Sequence, residues 1–283
     1  IARENVTVAL SGLGGDELFA GYERYLGFRL RSLYNKFPFF LRENLISRFI
    51  ANLPERADGH YTVNHMKRFV RSASLPADES YLGYVSLLTK EQRHTFFADT
   101  VKFNNYLDSC RELLTGYFNS PNVTGDCNSL DRALYFDIKT YLPEDILALT
   151  DRISMQHSLE VRVPFLDHKL VEFCATIPSE IKMKWLKKKY LLKKAVAGLL
   201  PKEVIQHRKQ GFVGPTSRWL QTDLKPYVLD ALSAKGLNKH GLINPKTANR
   251  IIDEHFSGRE IHDKLIWSMV VFQKWYDLYI EGS

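Results

Sequence analysis

Apolar side chains recur at helical spacing over most of this chain. Between residues 16 and 34 they lie three and four positions apart, which predicts one amphipathic helix. A second stripe has an apolar residue at every fourth position: Leu130, Leu134, Ile138 and Leu142. Pro143 interrupts this stripe, so we expect a break in the helix there. Three residues then resume the pattern: Ile146, Leu149 and Ile153.

Shorter periodic segments predict further helices over residues 41–53, 61–73, 79–88 and 89–97. In the last of these, Thr89 precedes Gln92 by three positions, which is the capping-box pattern of a helix N-terminus. Turn-forming residues cluster at 120–128 and predict a loop. We interpret the long apolar face over 265–272 as core.

Only residues 6–10, VTVAL, predict a β-strand, because they are mostly β-branched or apolar and a Ser-Gly pair follows them. The predicted fold class is therefore mainly α, with one strand or a few. A strand cannot remain unpaired in a core, because its backbone groups need ladder partners. Either further short strands are hidden in this sequence, or the rest of the sheet precedes it.

The composition is that of a globular protein. The chain has 283 residues, 45% of them hydrophobic and 12% aromatic, which suffices for one large domain or two modest ones. No apolar run approaches the roughly 20 residues of a membrane span, and no secretory signal is recognisable. The three cysteines form no C-x-x-C pair, which argues against a disulfide framework or zinc site and favours a reducing cytoplasm. Because the chain begins with Ile1 shortly before the strand, we expect a piece of a longer polypeptide.

The net charge of +7 is partly concentrated in the run from Lys182 to Lys194. The simplest interpretation of this run is a solvated helix face. A phosphate-binding surface is the alternative. Nucleic-acid binding is less favoured, because the run lacks the interleaved arginine and exposed aromatic residues of single-strand binders.

The segment SGLGGDE, residues 11–17, follows the predicted strand and carries the strongest candidate chemistry. A strand, a glycine turn and a helix start orient several backbone N–H groups in one direction, which is the arrangement of an anion site. Asp16 would repel a bare phosphate, but it would fit beside one if a divalent cation such as Mg²⁺ lay between them. A tight turn whose acids merely favour the helix N-terminus remains the alternative.

Three stretches together resemble the glutamine-dependent asparagine synthetases in order and spacing. They are SGLGGDELFAGY, YLPEDILALTDRISMQHSLEVRVPFLDH and KYLLKKAVAGLLPKEVIQHRKQGF. The resemblance runs from about Val6 to Trp219 and implies the C-terminal part of the synthetase domain. That domain has the α/β fold of the pyrophosphate-loop ATPases, which is similar to the adenine nucleotide α-hydrolases. By this resemblance, residues 1–35 end the nucleotide-binding core and residues 36–283 form a mostly helical extension.

The resemblance also implies a reaction and its partners. Enzymes of this family adenylate the side-chain carboxylate of aspartate with MgATP, release pyrophosphate, and let ammonia displace AMP to give asparagine. An N-terminal glutaminase domain supplies the ammonia from glutamine. The cofactors implied are ATP and Mg²⁺, and the substrates are aspartate and ammonia or glutamine. We expect no nucleic acid or membrane partner, and a homodimer is compatible with this sequence.

Site residues follow by matching motif positions. The loop Ser11, Gly12, Leu13, Gly14 and Gly15 matches the adenylate-contacting segment, and Asp16 matches a Mg²⁺ ligand. Lys209 in RKQGF and Lys189 before Tyr190 match basic positions near the α-phosphate and pyrophosphate. Asp151 and Glu160 match acidic positions on the aspartyl side of the cleft. Preorganised cations are what a displacement at phosphorus requires, because negative charge develops on the leaving pyrophosphate.

Structural interpretations compete with several of these assignments. Without the resemblance, Lys209 would be interpreted as an exposed loop lysine. Asp151 and Glu160 fit ion-paired structural roles as well as functional ones. For Arg162 and Asp167 we favour a partly buried pair that fixes the direction of the chain. His157 and His168 have no third ligand at metal spacing, so we expect them to be structural.

Two departures from the family pattern limit the prediction. Many family members have a carboxylate where this chain has Leu13, and an apolar side chain cannot orient a substrate by charge. The family's first phosphate loop, SGG-x-DS, and the glutaminase domain do not occur in this sequence. We therefore expect the chain alone to bind nucleotide weakly or not at all, without turnover. The alternatives are a homologue that activates another carboxylate, as β-lactam synthetases or peptide- and sugar-modifying relatives do, and a non-catalytic helical module.

Overall fold

The computed structural model describes residues 1–53, 62–98, 100–123, 127–207 and 214–282, with the backbone alone at 62, 90 and 100–105. Up to residue 139 its elements are α1 (Ala2–Asn5), β1 (Val8–Leu10), α2 (Gly15–Leu18), α3 (Glu23–Tyr34), α4 (Arg48–Ala51), α5 (Thr62–Ser72), α6 (Ala77–Val85), α7 (Lys90–Phe96), α8 (Thr100–Phe118) and α9 (Ser129–Lys139). After it come α10 (Ala148–Gln156), β2 (Glu160–Arg162), α11 (His168–Ala175), α12 (Ser179–Lys182), α13 (Tyr190–Ala195), α14 (Lys202–Gln206), α15 (Thr216–Gln221), α16 (Lys225–Ala231), α17 (Ala234–His240), α18 (Pro245–Phe256) and α19 (Asp263–Tyr276). The described part is therefore mainly α, as predicted.

The single predicted strand has a partner far along the chain. β1 pairs in parallel with β2, with Val8 opposite Glu160 and Leu10 opposite Arg162. The pairing extends past the strand end, because the N–H of Ser11 donates to the carbonyl of Arg162 at 2.8 Å. The expectation of a hidden strand is confirmed, although β1 begins at Val8 and not at Val6. β2 escapes prediction because three residues, Glu-Val-Arg, are too short to show a period.

The helix predicted over 16–34 is wrong in one respect, because the structure divides it in two. α2 ends after four residues, Ala20 has a φ of +53°, and α3 begins at Glu23. The break lets Leu18 and Phe19 pack against Cys174. The periodicity holds within α3, where Tyr25 and Phe28 are buried.

Capping and proline signals elsewhere agree with the structure. Thr89 and Gln92 form the predicted capping box of α7, with both reciprocal hydrogen bonds present. The stripe broken by Pro143 becomes α9 and α10, joined by a π-helical turn at Leu142–Leu147. Proline near the start of this turn is tolerated, because the first N–H groups of a helix have no intrahelical partner. Other π-helical turns lie at Leu41–Ser47 and Asp277–Glu281, and a 3₁₀ turn lies at Pro164–Leu166.

The chain divides into two compact units. Unit 1 comprises Ile1–Tyr34, Pro76–Tyr81 and Leu113–Lys209, and unit 2 comprises Asn35–Leu75, Leu82–Glu112 and Gln210–Ser283. Unit 1 contains both strands. Unit 2 has an aliphatic core that includes Leu220, Val228, Leu232, Leu237, Ile252, Ile266 and Met269. The predicted core face over 265–272 is confirmed, since Leu265, Ile266, Met269 and Val270 are all buried.

Candidate active site

The loop of residues 11–15 leaves the end of β1 and turns into α2. Gly14 has a φ of +85°, and a Cβ atom there would lie 2.3 Å from a methyl carbon of Leu166. Glycine is therefore required at this position for both conformation and space. Of the loop glycines, positive φ occurs at Gly14, whereas a Cβ on Gly12 would meet no atom within 4 Å. Gly15 packs against the Phe165 ring.

Two of the predicted site residues meet directly after this loop. The Lys189 ammonium lies 3.0 Å from Oδ1 of Asp16, and roughly a quarter of each side chain is exposed. The backbone of Gly21 lies against both: a Cβ there would approach Asp16 Oδ1 to 1.9 Å and Lys189 Cε to 2.3 Å. Lys189 itself has a left-handed backbone with a φ of +51°, immediately before α13. A strained non-glycine residue that presents a charge beside a carboxylate is a feature of functional sites.

A second carboxylate of the same turn faces inward. Glu17 is 1% exposed, and the hydroxyl of Tyr22 donates to its Oε1 at 2.6 Å. Burial raises the pKa of the Glu17 carboxyl, because desolvation disfavours the charged form. The pKa of the Tyr22 hydroxyl is also raised, by burial and by its bond to Glu17.

Beneath Tyr22 lies a buried charged network. The Arg24 guanidinium lies 4.1 Å from the Tyr22 ring centre and 4.5 Å from that of Tyr141. It donates to Oδ2 of Asp137 from Nη2 at 2.8 Å and from Nε at 3.1 Å. The same Oδ2 accepts from the hydroxyls of two fully buried tyrosines, Tyr25 and Tyr81. These contacts fix the chain just after the Asp16 turn, so the network supports the geometry of the Asp16–Lys189 pair.

Sequence reasoning did not single out these supporting residues. Gly21 and Tyr22 lie within the first quoted motif, and Glu17 is adjacent to Asp16. The motif includes these residues, but no pattern in it indicates which side chains they contact. Asp137 is 113 positions from Arg24, and no local pattern links the two.

The predicted pair of Arg162 with Asp167 is wrong. The Arg162 Nε instead lies 2.7 Å from Oε1 of Glu160, two residues away on β2, and both side chains are well exposed. Asp167 caps α11, because its Oδ1 accepts from the N–H groups of Lys169 and Leu170. Alternation along a strand puts residues two apart on the same face, which explains why Glu160 is the partner.

The basic run does not form one solvated helix face, so that interpretation is wrong. α12 ends at Lys182 and α13 begins at Tyr190, with a turn between them in which Lys184 and Lys187 exchange backbone bonds. Lys182 is 5% exposed, and burial lowers the pKa of its ammonium. Lys188 pairs with Glu23 in addition to the Lys189–Asp16 contact.

The remaining predicted residues are not brought into this cluster. Asp151 is exposed on α10, and no described contact joins it to Asp16 or Lys189. Glu160 lies opposite Val8, within the strand and not at its loop end. Lys209 belongs to residues 208–213, which lie outside the described residues, so its assignment to the phosphates stays a prediction.

Comparison with known protein families identifies the family of this chain. A family model described as asparagine synthase matches residues 1–277. The chain belongs to the asparagine synthase family. No solved structure gives a significant match, so the pyrophosphate-loop ATPase fold stays a prediction. Within the part of the chain that the structure covers, we find no helix with the length and hydropathy of a membrane span.

Curated relatives of this chain extend well beyond it. It is 29% identical over 280 residues to asparagine synthetase [glutamine-hydrolyzing] 1 of Bacillus subtilis, covering 99% of the chain and 42% of the relative. A putative asparagine synthetase [glutamine-hydrolyzing] of Mycobacterium bovis is 29% identical, with 100% and 41% covered. Amidase chyE of Penicillium rubens is 22% identical, with 92% and 40% covered. The chain thus spans about 40% of the length of these relatives.

Proposed function

We propose that the full-length protein is an ATP-dependent amide ligase that converts aspartate to asparagine with ammonia from glutamine, releasing AMP and pyrophosphate. The observation that carries the proposal is the Asp16–Lys189 pair, at 3.0 Å, beside the loop that follows β1. Family membership and the named synthetase relatives support the same class of reaction.

The donor chemistry at the pair fits a magnesium-bound triphosphate. Asp16 offers a partly exposed carboxylate, and Mg²⁺ uses one or two protein carboxylates together with phosphate oxygens. When bound, the ion would neutralise phosphate charge. Lys189 already lies against this carboxylate, so its ammonium would face the pyrophosphate portion and stabilise the charge that develops there. A Cβ on Gly12 would meet nothing within 4 Å, so the loop backbone next to Ser11 is open to the approach of a ligand.

The chemical step would proceed by in-line displacement. An oxygen of the aspartate side-chain carboxylate bonds to the α-phosphorus while the bond to pyrophosphate breaks. Ammonia then bonds to the acyl carbon, loses a proton, and AMP leaves. We assign Lys189 and Lys209 to the charge on the phosphates, and Glu160 and Asp151 to the aspartyl side of the cleft.

Because the chain spans about 40% of its relatives, further parts of the machinery belong to the proposal. The glutaminase domain and the first phosphate loop would lie in the remainder of the full-length protein. The chain on its own is expected to bind nucleotide weakly or not at all.

The test is a pyrophosphate-release assay on the full-length protein, with aspartate compared against other carboxylates. Aspartate-dependent release that Lys209→Ala abolishes, while glutaminase activity stays largely intact, would support the proposal. If both activities survive in this variant, the assignment of Lys209 is wrong.

Leu13 favours a second candidate, a ligase of the same type that activates a different carboxylate. An apolar side chain stands where many family members have an acid, and two relatives are named amidases. Pyrophosphate release with another carboxylate, and none with aspartate, would select this candidate.

A further inference from the structure

A cluster of two carboxylates and an imidazole lies in unit 2, apart from the residues of the proposed reaction. α18 ends at Phe256, and the chain turns back through Gly258, whose φ is +70°. The turn is held by a bond from the Arg259 N–H to the Glu254 carbonyl at 3.0 Å. It returns Glu260 and His262 to the side of Glu254.

The histidine of this cluster is hydrogen-bonded through its backbone to a second, buried histidine. The backbone N–H of His262 donates to Nδ1 of His255 at 3.2 Å, and His255 is fully buried. The side chain of His262 is only 9% exposed, whereas those of Glu254 and Glu260 are 23% and 30% exposed. The backbone of His262 is therefore held by a buried residue and its ring is nearly buried, whereas the two carboxylates are more exposed.

The three candidate ligand atoms converge. Nε2 of His262 lies 2.9 Å from Oε2 of Glu254 and 4.0 Å from Oε2 of Glu260, and all three donors fall within 4.8 Å of one another. In a tetrahedral site with metal–ligand bonds near 2.1 Å, ligand atoms are about 3.4 Å apart. The two distances from Nε2 of His262 therefore each lie within about 0.6 Å of the tetrahedral spacing.

The cluster borders a cavity of about 110 Å³ that Gln92 and Arg250 also line. This volume holds several waters, so a fourth, exchangeable ligand has room. The cluster already attracts a cation from elsewhere in unit 2, because the Arg71 guanidinium lies 3.3 Å from Oε1 of Glu260. The Arg71 side chain is 51% exposed and can withdraw into solvent when an ion arrives.

We propose that Glu254, Glu260 and His262 form a binding site for a divalent transition-metal cation of the zinc class, which displaces Arg71 from Glu260. A mixed set of one imidazole nitrogen and two carboxylates suits zinc and neighbouring first-row metals. Magnesium and calcium prefer all-oxygen sites, so they should compete poorly. This site is independent of the proposed amide-ligase activity.

The test is calorimetric titration of Zn²⁺ into chelator-treated protein, with Mg²⁺ as a competitor. One Zn²⁺ per chain is expected. His262→Ala and Glu260→Gln should each weaken its binding by about tenfold or more, a loss of about 1.4 kcal/mol or more. Circular dichroism verifies folding, and Glu260→Gln keeps the shape of the side chain should His262→Ala unfold the turn.

Two further variants distinguish a metal site from a purely structural cluster. Arg71→Ala removes the competing cation, so it should tighten Zn²⁺ binding, whereas a structural role for the cluster predicts no change. His94→Ala removes an exposed imidazole elsewhere on the chain and should leave this affinity unchanged. Unaltered binding in both His262→Ala and Glu260→Gln, an equal loss in His94→Ala, or weaker binding in Arg71→Ala would each overturn the proposal.

Discussion

The interiors of the two units are built differently. In unit 1, a buried carboxylate, Asp137, accepts hydrogen bonds from Arg24, Tyr25 and Tyr81 beneath the Asp16 turn. In unit 2, the buried cluster is largely aliphatic and includes Leu237, Ile266 and Met269, and the Arg71–Glu260 ion pair is partly exposed. Burying a charge pair costs free energy that aliphatic packing does not.

The two kinds of interior stabilise the chain in different ways. Aliphatic side chains stabilise by area removed from water, which is non-directional. The bonds to Asp137 are directional, and with the stacking of Arg24 on Tyr22 they set the path of the chain around Gly21. Unit 1 thus has a directional interior next to the Asp16–Lys189 pair, and unit 2 has a packed interior that stabilises helices.

The largest effect should come from breaking the directional interior. Asp137→Ala leaves the Arg24 guanidinium buried without its carboxylate, and two tyrosine hydroxyls lose their acceptor. We expect a loss of about 3–5 kcal/mol in the free energy of unfolding, measured by urea denaturation. The exposed counterpart Asp151→Ala should change stability by less than about 0.5 kcal/mol.

A double-mutant cycle tests whether the loss arises from an uncompensated charge. In an Arg24→Met background, Asp137→Ala should cost much less than it does alone, because no buried cation remains unpaired. Equal cost in both backgrounds would mean that Asp137 stabilises by packing, and the contrast with unit 2 would disappear.

The next largest effect should be on the rate of the proposed reaction. In the full-length protein, Lys189→Met should lower the rate of pyrophosphate release by about 10²–10³-fold, because a preorganised cation is lost where charge develops. Stability should change little, since roughly a quarter of the side chain is exposed. The adjacent Lys188→Met is the matched control, because Lys188 pairs with the exposed Glu23. Similar rate losses in both variants would show that general positive charge is sufficient.

The sequence was sufficient for the features that depend on local patterns. The helical stripe of α9, the capping box of α7 and the glycine turn all follow from residues within four positions of one another. It could not show that Lys189 reaches Asp16 or that Arg24 reaches Asp137, because these contacts join distant segments. The Arg162–Asp167 prediction failed because a partner two residues away on the same strand face was closer.

A smaller effect on stability is expected at Gly21, where the backbone lies against Asp16 and Lys189. Gly21→Ala places a methyl group 1.9 Å from Asp16 Oδ1, so the Asp16–Lys189 pair must shift. We expect a loss of about 1–3 kcal/mol in unfolding free energy, as in overpacked interiors. Gly116→Ala is the control in an exposed part of α8, where a Cβ meets nothing within 4 Å, and it should stabilise by about 0.5–1 kcal/mol. Equal effects at the two glycines would show that the pair moves freely.

The smallest effect should be a change in pH dependence from Glu17. Burial raises the pKa of this carboxyl above its ordinary value of 4.5, so between 4.5 and the raised value the folded state binds more protons than the unfolded state. The stability contributed by Glu17 is therefore greatest below pH 4.5 and falls as the pH rises through that window. Glu17→Gln removes the titration, and its amide oxygen can still accept from Tyr22. Relative to wild type, the variant should gain stability as the pH rises, measured by urea denaturation at several pH values. A difference that stays constant with pH would mean that folding does not shift the pKa of Glu17, and one that falls would mean that its charged form is stabilised; either result contradicts the prediction.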